Sequence, residues 1–146
     1  MVIDAMTEQE CAGLLMRVSL GRLGCSFDDQ PYVVPISFAY EPGYIYALST
    51  FGQKIEWMRQ NPKVCLEVEE AASEFEWITV IATGTYQELT EPQYSAELAH
   101  ARKMLGKRRG WWQIPLAERQ AAGEDLISPL FFRIHIDSIT GLRASH

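Results

Sequence analysis

The sequence predicts a mainly β domain, a small antiparallel barrel with helices at its periphery. Two features of the chain favour this class. Short runs rich in Val, Ile, Thr and Tyr follow one another through short turns of Gly, Pro and Asp. Crossover helices do not separate most of these runs, which argues against a doubly wound parallel sheet. The chain of 146 residues has the length of one domain, which we expect to span 1–146.

Six segments have the composition of strands, and the first three are joined by turns short enough for an antiparallel meander. The fifth segment is long, and we expect it to bend near Gly84. Residues 70–74 are predicted to form an acidic loop, and Gly141 a turn after the last strand. The predicted strands are 22–27, 32–40, 44–48, 63–69, 75–89 and 129–138. They predict a six-stranded antiparallel barrel.

Capping signals and apolar spacing predict the peripheral helices. Thr7 and Glu10 fit a capping box at the start of the first helix, and apolar residues then recur at helical spacing. Thr90 and Pro92 are expected to begin the third helix as its cap and an early helical position. The predicted helices are 8–18, ended by Gly21, a short helix from about Lys54, stopped by Asn61-Pro62, 90–106, and a short piece at 115–120.

Composition excludes several classes of function. The formal net charge of −6 argues against nucleic acid and anionic membranes as partners. No apolar run is long enough to span a bilayer, and the first residues lack the features of a secretory signal. The three cysteines are odd in number and lie in apolar contexts, which favours reduced core thiols in the cytoplasm over disulfides. The histidines lack metal-ligand spacing, so we expect no metal site.

The segment after the third strand has the features of a phosphate site. The strand ends in Ser49 and Thr50, Gly52 follows, and Gln53 and Lys54 come at the start of the short helix. Hydroxyls, free helix N–H groups and a cation are the donors that a phosphate needs. The sequence therefore predicts that the protein holds a phosphorylated cofactor.

The order of these segments resembles the pyridoxamine 5′-phosphate oxidase-like superfamily, the FMN-binding split β-barrel. The likeness covers residues 7–89 well and residues 128–142 loosely. No single motif is specific, but the ordered set is. The segments that carry the resemblance are Gly21 to Ser26, Pro31 to Phe38, Leu48 to Lys54, and Asn61 to Leu66 followed by Trp77 to Gly84.

The resemblance implies a homodimer with FMN at the subunit interface and the flavin ring on the second and third strands. Trp77 and Thr79 match a position that faces the flavin across that interface, and Trp111 and Trp112 lie in a variable segment near the pocket. Each of these tryptophans also fits a purely structural role. The candidate cofactor-binding residues are Pro35, Ile36, Ser37, Ser49, Thr50, Gln53, Lys54, Trp77, Thr79 and Trp112.

The function implied is an FMN-dependent oxidoreductase acting on a small organic substrate. No side chain has to be a nucleophile or metal ligand, which fits a flavin that carries the redox chemistry. His135 fits either a structural role or an acid–base role. The resemblance implies that an oxidase of pyridoxamine phosphate itself carries further basic residues near its C-terminus for the substrate phosphate. After Arg119 this chain has only Arg133 and Arg143, which argues against pyridoxamine phosphate as the substrate and favours nitro or quinone-like compounds.

Three alternatives remain open at this point. The deazaflavin F420 could replace FMN, with the basic residues between Arg102 and Arg109 holding its acidic tail. The same residues also fit a solvated helix end that complements the helix dipole. The protein could instead be a flavin- or haem-binding module without turnover, or a barrel that has lost its cofactor and persists as a dimer scaffold.

Overall fold

The computed structural model describes residues 1–107 and 129–146. These residues form a mainly β domain with helices at its periphery, as the sequence predicts. The elements in chain order are β1 (Val2–Ala5), α1 (Glu8–Arg17), β2 (Leu20–Phe27), β3 (Gln30–Glu41), β4 (Tyr44–Ser49), α2 (Gln53–Gln60), β5 (Lys63–Ser73), β6 (Glu76–Glu88), α3 (Ser95–Gly106) and β7 (Leu130–Ser145).

Six of the strands form a closed ring of antiparallel pairs. The sheet order is β1-β7-β4-β3-β2-β5-β6, and an additional pairing joins β6 to β7. The ring therefore runs β2, β3, β4, β7, β6, β5 and back to β2, while β1 adds to the far end of β7 through Val2 opposite Ser145. The ring agrees with the six-stranded split barrel predicted from the sequence.

The tight turns have the backbone conformations that their residues favour. Asp28 and Asp29 connect β2 to β3 with φ values of 51° and 62°, a two-residue hairpin turn that suits short polar side chains. Gly43 has a φ of 89° in the turn between β3 and β4, where Pro42 precedes it. The pairing of β6 with β7 shifts register between Thr83 and Gly84, which confirms the predicted irregularity there.

Gly21, predicted to end the first helix, and Gly141, predicted to form a turn, both lie inside strands. Gly21 is in β2, because α1 ends earlier, at Arg17, with Val18 as its C-cap. Gly141 is in β7, which continues to Ser145. A Cβ would lie 2.9 Å from Leu66 Cδ1 at Gly21 and 2.6 Å from Cys11 Sγ at Gly141. Both glycines therefore serve close packing, and the predictions that Gly21 ends the helix and that Gly141 forms a turn were wrong.

Other boundaries also differ from the sequence-based prediction. Residues 70–73 of the predicted acidic loop belong to β5, which extends to Ser73 because β6 pairs with it, and only Glu74 lies in the turn that follows. The helix expected at Thr90 begins at Ser95, after a turn in which the Tyr94 amide donates to the Thr90 carbonyl at 2.8 Å. Strand β1 was missed: its residues are exposed and depend on pairing with distant β7. The predicted helical piece at 115–120 lies outside the described residues.

The main core fills the ring, and two helices cover it. Leu14 and Leu15 of α1 and Ile55 and Met58 of α2 are fully buried in this core with the inward side chains of the strands. Helix α3 packs outside the ring on β4, β7 and β3, where Tyr46 contributes to a second apolar cluster. No helix in residues 1–107 and 129–146 is long and apolar enough to cross a bilayer.

The predicted capping box is present at the start of α1. The Glu10 amide donates to Thr7 Oγ1 at 3.2 Å, and the Thr7 amide donates to Glu10 Oε1 at 3.1 Å. We expect Thr7→Ala to lower the free energy of unfolding by about 1 kcal/mol, measured by urea denaturation, because the Glu10 amide loses its side-chain partner. Thr7→Ser should stay close to wild type, and an equal loss in both variants would contradict the capping role.

Candidate cofactor site

The ring of strands opens between β3 and β4, beside the residues predicted to hold a cofactor. The two strands pair only from Phe38 opposite Ala47 toward their shared turn. Beyond that point β3 stays with β2, through Ser37 opposite Leu20, and β4 stays with β7, to Ser49. Among the described pairings, both strands therefore present free backbone edges to the split.

Strand β3 brings Pro35 and Ser37 to one side of this split. Pro35 is exposed at a position where β3 and β4 are not paired. Its missing N–H therefore removes no hydrogen bond between these two strands. Ile36 is buried in the core, and its backbone faces β2, as that of Phe38 does through the bond from its amide to the Ser19 carbonyl, so the structure does not bring Ile36 to the split. Ser37 is 7% exposed, yet its hydroxyl makes no hydrogen bond with any described residue. A buried hydroxyl without a partner is unfavourable, and a ligand at the split would satisfy it.

The end of β4 supplies Ser49 and Thr50 on the other side. Ser49 is buried, and its hydroxyl donates to the Thr50 carbonyl at 2.8 Å. Its hydrogen is therefore committed, and Ser49 can only accept from a ligand unless that bond breaks. Thr50 is exposed, and its hydroxyl has no partner among the described residues. Of the two predicted hydroxyl donors, Thr50 is the one available.

Helix α2 begins at the split with unoccupied N–H groups. Its N-cap is Gly52, so no side chain caps the first turn, and Gln53 is exposed. Gly52 has an extended backbone, with φ −176° and ψ −167°, which other residues also adopt. A Cβ at Gly52 would meet nothing within 4 Å. Neither backbone conformation nor packing in the described chain requires glycine here, so the missing side chain leaves room for a ligand at a helix N-terminus.

Lys54 lies in the first turn of α2 and is half-buried. It has no ion pair or hydrogen bond with any described residue, and so none with Ser49 or Thr50. Burial lowers the pKa of its amine, an effect that its interaction with the nearby Cys25 thiol only partly opposes. A half-buried cation without an anionic partner is costly for the protein. A phosphate at the start of α2 would supply the missing partner.

Trp77 and Thr79 lie elsewhere on the ring. Both belong to β6, which is on the side of the ring opposite β3. Thr79 is half-buried on the outer face and donates to Glu67 Oε2 at 3.2 Å. Within one chain neither residue lies beside Lys54, so their predicted contact with a cofactor requires a second chain.

The remaining candidates are not brought to the split. Trp112, with Trp111, lies outside the described residues, as do Arg108 and Arg109 of the basic segment. His135 is exposed and pairs with Tyr44, which precedes Ser49 by five residues, about 16 Å along the strand. Its Nδ1 lies 3.2 Å from Asp137 Oδ1. In a single chain, His135 therefore has no access to a ligand at the split.

The residues at the split fit the phosphate end of a flavin cofactor. Lys54 offers a positive charge, α2 offers free N–H groups, and Thr50 offers a hydroxyl. The unpartnered Ser37 hydroxyl and the free edge of β3 offer polar groups to a flat ring with donors and acceptors of its own.

Comparison with known proteins agrees with this description. The family model for pyridoxamine 5′-phosphate oxidase matches residues 7–143. The chain belongs to this family. The pyridoxamine 5′-phosphate oxidase family match spans every described element from α1 to α3 and most of β7.

The chain is also similar over its length to individual proteins and solved structures. An uncharacterized protein of Rhizobium meliloti strain 1021 is 39% identical over 99% of this chain and 97% of its own. A crystal structure of an FAD-binding protein from Mesorhizobium loti is 36% identical, with a TM-score of 0.80 over 99% of this chain and 98% of that one. An FAD-binding protein from Mycobacterium smegmatis has the same fold, with a TM-score of 0.72, 22% identity and coverage of 97% and 100%.

Sequence reasoning missed a group of residues beside the split. Arg59 of α2 donates to both carboxylate oxygens of Glu88, at 2.8 and 2.9 Å, and lies 5.1 Å from the centre of the Phe51 ring. Glu88 also accepts from the hydroxyl of buried Tyr86 at 2.6 Å. The single available signal was an aromatic residue, Phe51, in an otherwise small and polar turn.

Proposed function

We propose that this chain binds FMN between β3, β4 and the start of α2, and that it is an FMN-dependent oxidoreductase acting on a small organic substrate. The observation that carries the proposal is the half-buried, unpaired Lys54 beside the uncapped start of α2. Lys54, Thr50 and the first amides of α2 would bind the phosphate. Gln53 is exposed at the same turn and would add an amide donor.

The rest of the split would orient the flavin ring. Ser37 would donate its free hydroxyl, while Pro35 would contribute its backbone carbonyl at the free edge of β3. Flavin supplies the electron transfer when bound, and the protein supplies position and a shielded surface. The similarity to the FAD-binding protein of Mesorhizobium loti supports a flavin over other phosphorylated cofactors. We propose nitro or quinone-like compounds as the substrate class.

We also propose that the cofactor lies at a homodimer interface, with Trp77, Thr79 and Trp112 approaching it from the partner. The outer face of the strands β3, β2, β5, β6 and β7 supports this. Pro35, Arg22, Glu67, Ile81 and Thr140 lie opposite one another in register across that face. Exposed apolar side chains surround this row, and such patches commonly mark protein interfaces. Leu20, Val33 and Leu142 lie beside the row, and Ile81 within it is also exposed.

Val33 is the most exposed of these side chains, at 66%. We expect Val33→Glu to convert a dimer into a monomer, because it places a charge in an apolar interface near Glu67 and Glu69. Light scattering after size-exclusion chromatography measures the mass. Phe75→Glu is the matched control, since Phe75 lies at the hairpin tip between β5 and β6. A monomeric wild type, or a dimeric Val33→Glu, would show that this face is not the interface.

An absorption spectrum of the purified protein tests the cofactor, followed by heat release and mass identification. Oxidised flavin bands and a released flavin are the expected result, and addition of NADH or NADPH with a nitro or quinone acceptor then tests turnover. A protein that holds flavin but transfers no electrons would favour a binding module. A colourless protein that binds neither added FMN, F420 nor haem would overturn the proposal and favour the scaffold.

The F420 alternative has one supporting observation. Arg102, Lys103 and Lys107 are exposed at the end of α3, and Arg102 lies over the ring of Phe131 at 5.4 Å. Exposed cations there would attract an acidic tail. Titration of the apo protein with FMN and with F420 separates the two, because a tighter complex with F420 would replace FMN in the proposal.

A further inference from the structure

Phe51 has the placement of a stacking residue rather than a core residue. It lies in the turn between β4 and α2, and 51% of its surface is exposed. One side of its ring faces the Arg59 guanidinium, whose Cζ is 5.1 Å from the ring centre. Among the described residues it has no other ring contact, so much of the ring remains accessible to a ligand.

The arginine that supports this ring is itself held in place. Nε and Nη2 of Arg59 donate to the two carboxylate oxygens of Glu88 at 2.8 and 2.9 Å. The hydroxyl of Tyr86 donates to the same carboxylate at 2.6 Å, and these donors lower the pKa of Glu88 so that it stays ionised. A guanidinium fixed by two hydrogen bonds loses little further freedom when the aromatic ring stacks on it. Phe51 is therefore pre-organised for a second planar group.

Phe51 lies close in sequence to the residues that we propose bind the phosphate. Only Gly52 and Gln53 separate it from Lys54, and the space beside Gly52 is open. A group attached to a phosphate at the start of α2 would pass close to this ring. Nucleobases are planar and stack on aromatic side chains, and this stacking depends little on which base is present.

We propose that Phe51, supported by Arg59, stacks on the adenine ring of FAD, so that this chain binds FAD more tightly than FMN. The proposal rests on the flavin site proposed above, since FMN and FAD share the ring and the first phosphate. It adds a subsite for a second planar group and requires no change in the residues that hold the first phosphate.

Calorimetric titration of the apo protein with FMN and with FAD tests the subsite. We expect the wild type to bind FAD about ten-fold more tightly than FMN, in line with one base–aromatic stack. Phe51→Ala should remove that difference and leave the FMN affinity within about two-fold of wild type. Phe51→Tyr should retain the preference, and Phe75→Ala, which removes another exposed phenylalanine, should leave both affinities unchanged.

The outcomes separate this inference from the proposed function. Equal affinities for FMN and FAD in the wild type would overturn the stacking subsite while leaving the flavin site intact. A preference for FAD that survives Phe51→Ala would also overturn it, since the adenine would then bind elsewhere. Failure of the wild type to bind either flavin would overturn the proposed function and this inference together.

Discussion

Replacing Lys54 by alanine should lower the affinity for FMN by about 100-fold. A charge-assisted bond from a partly desolvated lysine to phosphate contributes about 1.5–3 kcal/mol, and each 1.4 kcal/mol is a factor of ten. Lys54 is half-buried without an anionic partner in the described chain, so its charge is available to a ligand. The dissociation constants of wild type and variant for FMN measure the effect.

Riboflavin gives the sharpest control, because it is the same flavin without the phosphate. Its affinity should be equal in wild type and Lys54→Ala if Lys54 acts through the phosphate. Lys54→Met keeps the apolar part of the side chain but removes the charge. We expect this variant to bind FMN weakly. Its apo form should melt no lower than wild type, because an unpaired, half-buried charge has been removed. Unchanged FMN affinity in Lys54→Ala would remove Lys54 from the site.

The same lysine should make FMN binding depend on pH. Burial lowers the pKa of the Lys54 amine in the free protein. Phosphate binds the protonated amine, so FMN affinity should fall as the pH rises through this lowered pKa, before the range of an ordinary lysine is reached. Lys54→Met should lack this part of the pH dependence.

Gly52→Asp should stabilise the apo protein and strongly weaken FMN binding. Gly52 is the N-cap of α2 and has an extended backbone that aspartate can adopt. An aspartate cap accepts from the free amides and complements the helix dipole, which should raise the free energy of unfolding by about 0.5 kcal/mol. The carboxylate would occupy the space proposed for the phosphate and repel it, so we expect at least a roughly 100-fold loss of FMN affinity.

Gly52→Asn separates charge from bulk in this experiment. Asparagine caps a helix about as well as aspartate does but carries no charge. We expect it to match the gain in stability, measured by thermal melting of the apo protein, and to retain more FMN affinity than Gly52→Asp. Wild-type FMN affinity in Gly52→Asp would place the phosphate away from the start of α2.

Local features of the sequence predict much of this fold. The two-residue turn at Asp28 and Asp29, the capping box at Thr7 and the short helix after Gly52 depend on neighbours within a few residues. Gly21 and Gly141 were misassigned because glycine serves both turns and close packing, and only the neighbouring element distinguishes the two. Strand β1 depends on a partner at the other end of the chain, which no local pattern encodes.

The candidate site was predictable to a similar degree. Ser49, Thr50, Gln53 and Lys54 are nearly consecutive, so composition alone indicated a phosphate turn. The sequence could not indicate that the Ser37 hydroxyl lacks a partner, because this depends on where β3 and β4 stop pairing. The bond from Arg59 to Glu88 joins residues that are far apart in sequence, so the support beneath Phe51 had no sequence signature.

Strand β7 pairs with three other strands, and this has a consequence for biosynthesis. It pairs with β4, β6 and β1. Until Leu130–Ser145 leaves the ribosome, the nascent chain has two open sheet edges, at β4 and β6. Open edges are templates for pairing with other chains. A stop codon or a ribosomal pause ahead of Leu130 should therefore yield aggregates or a chaperone client, even though most of the ring has already been synthesised.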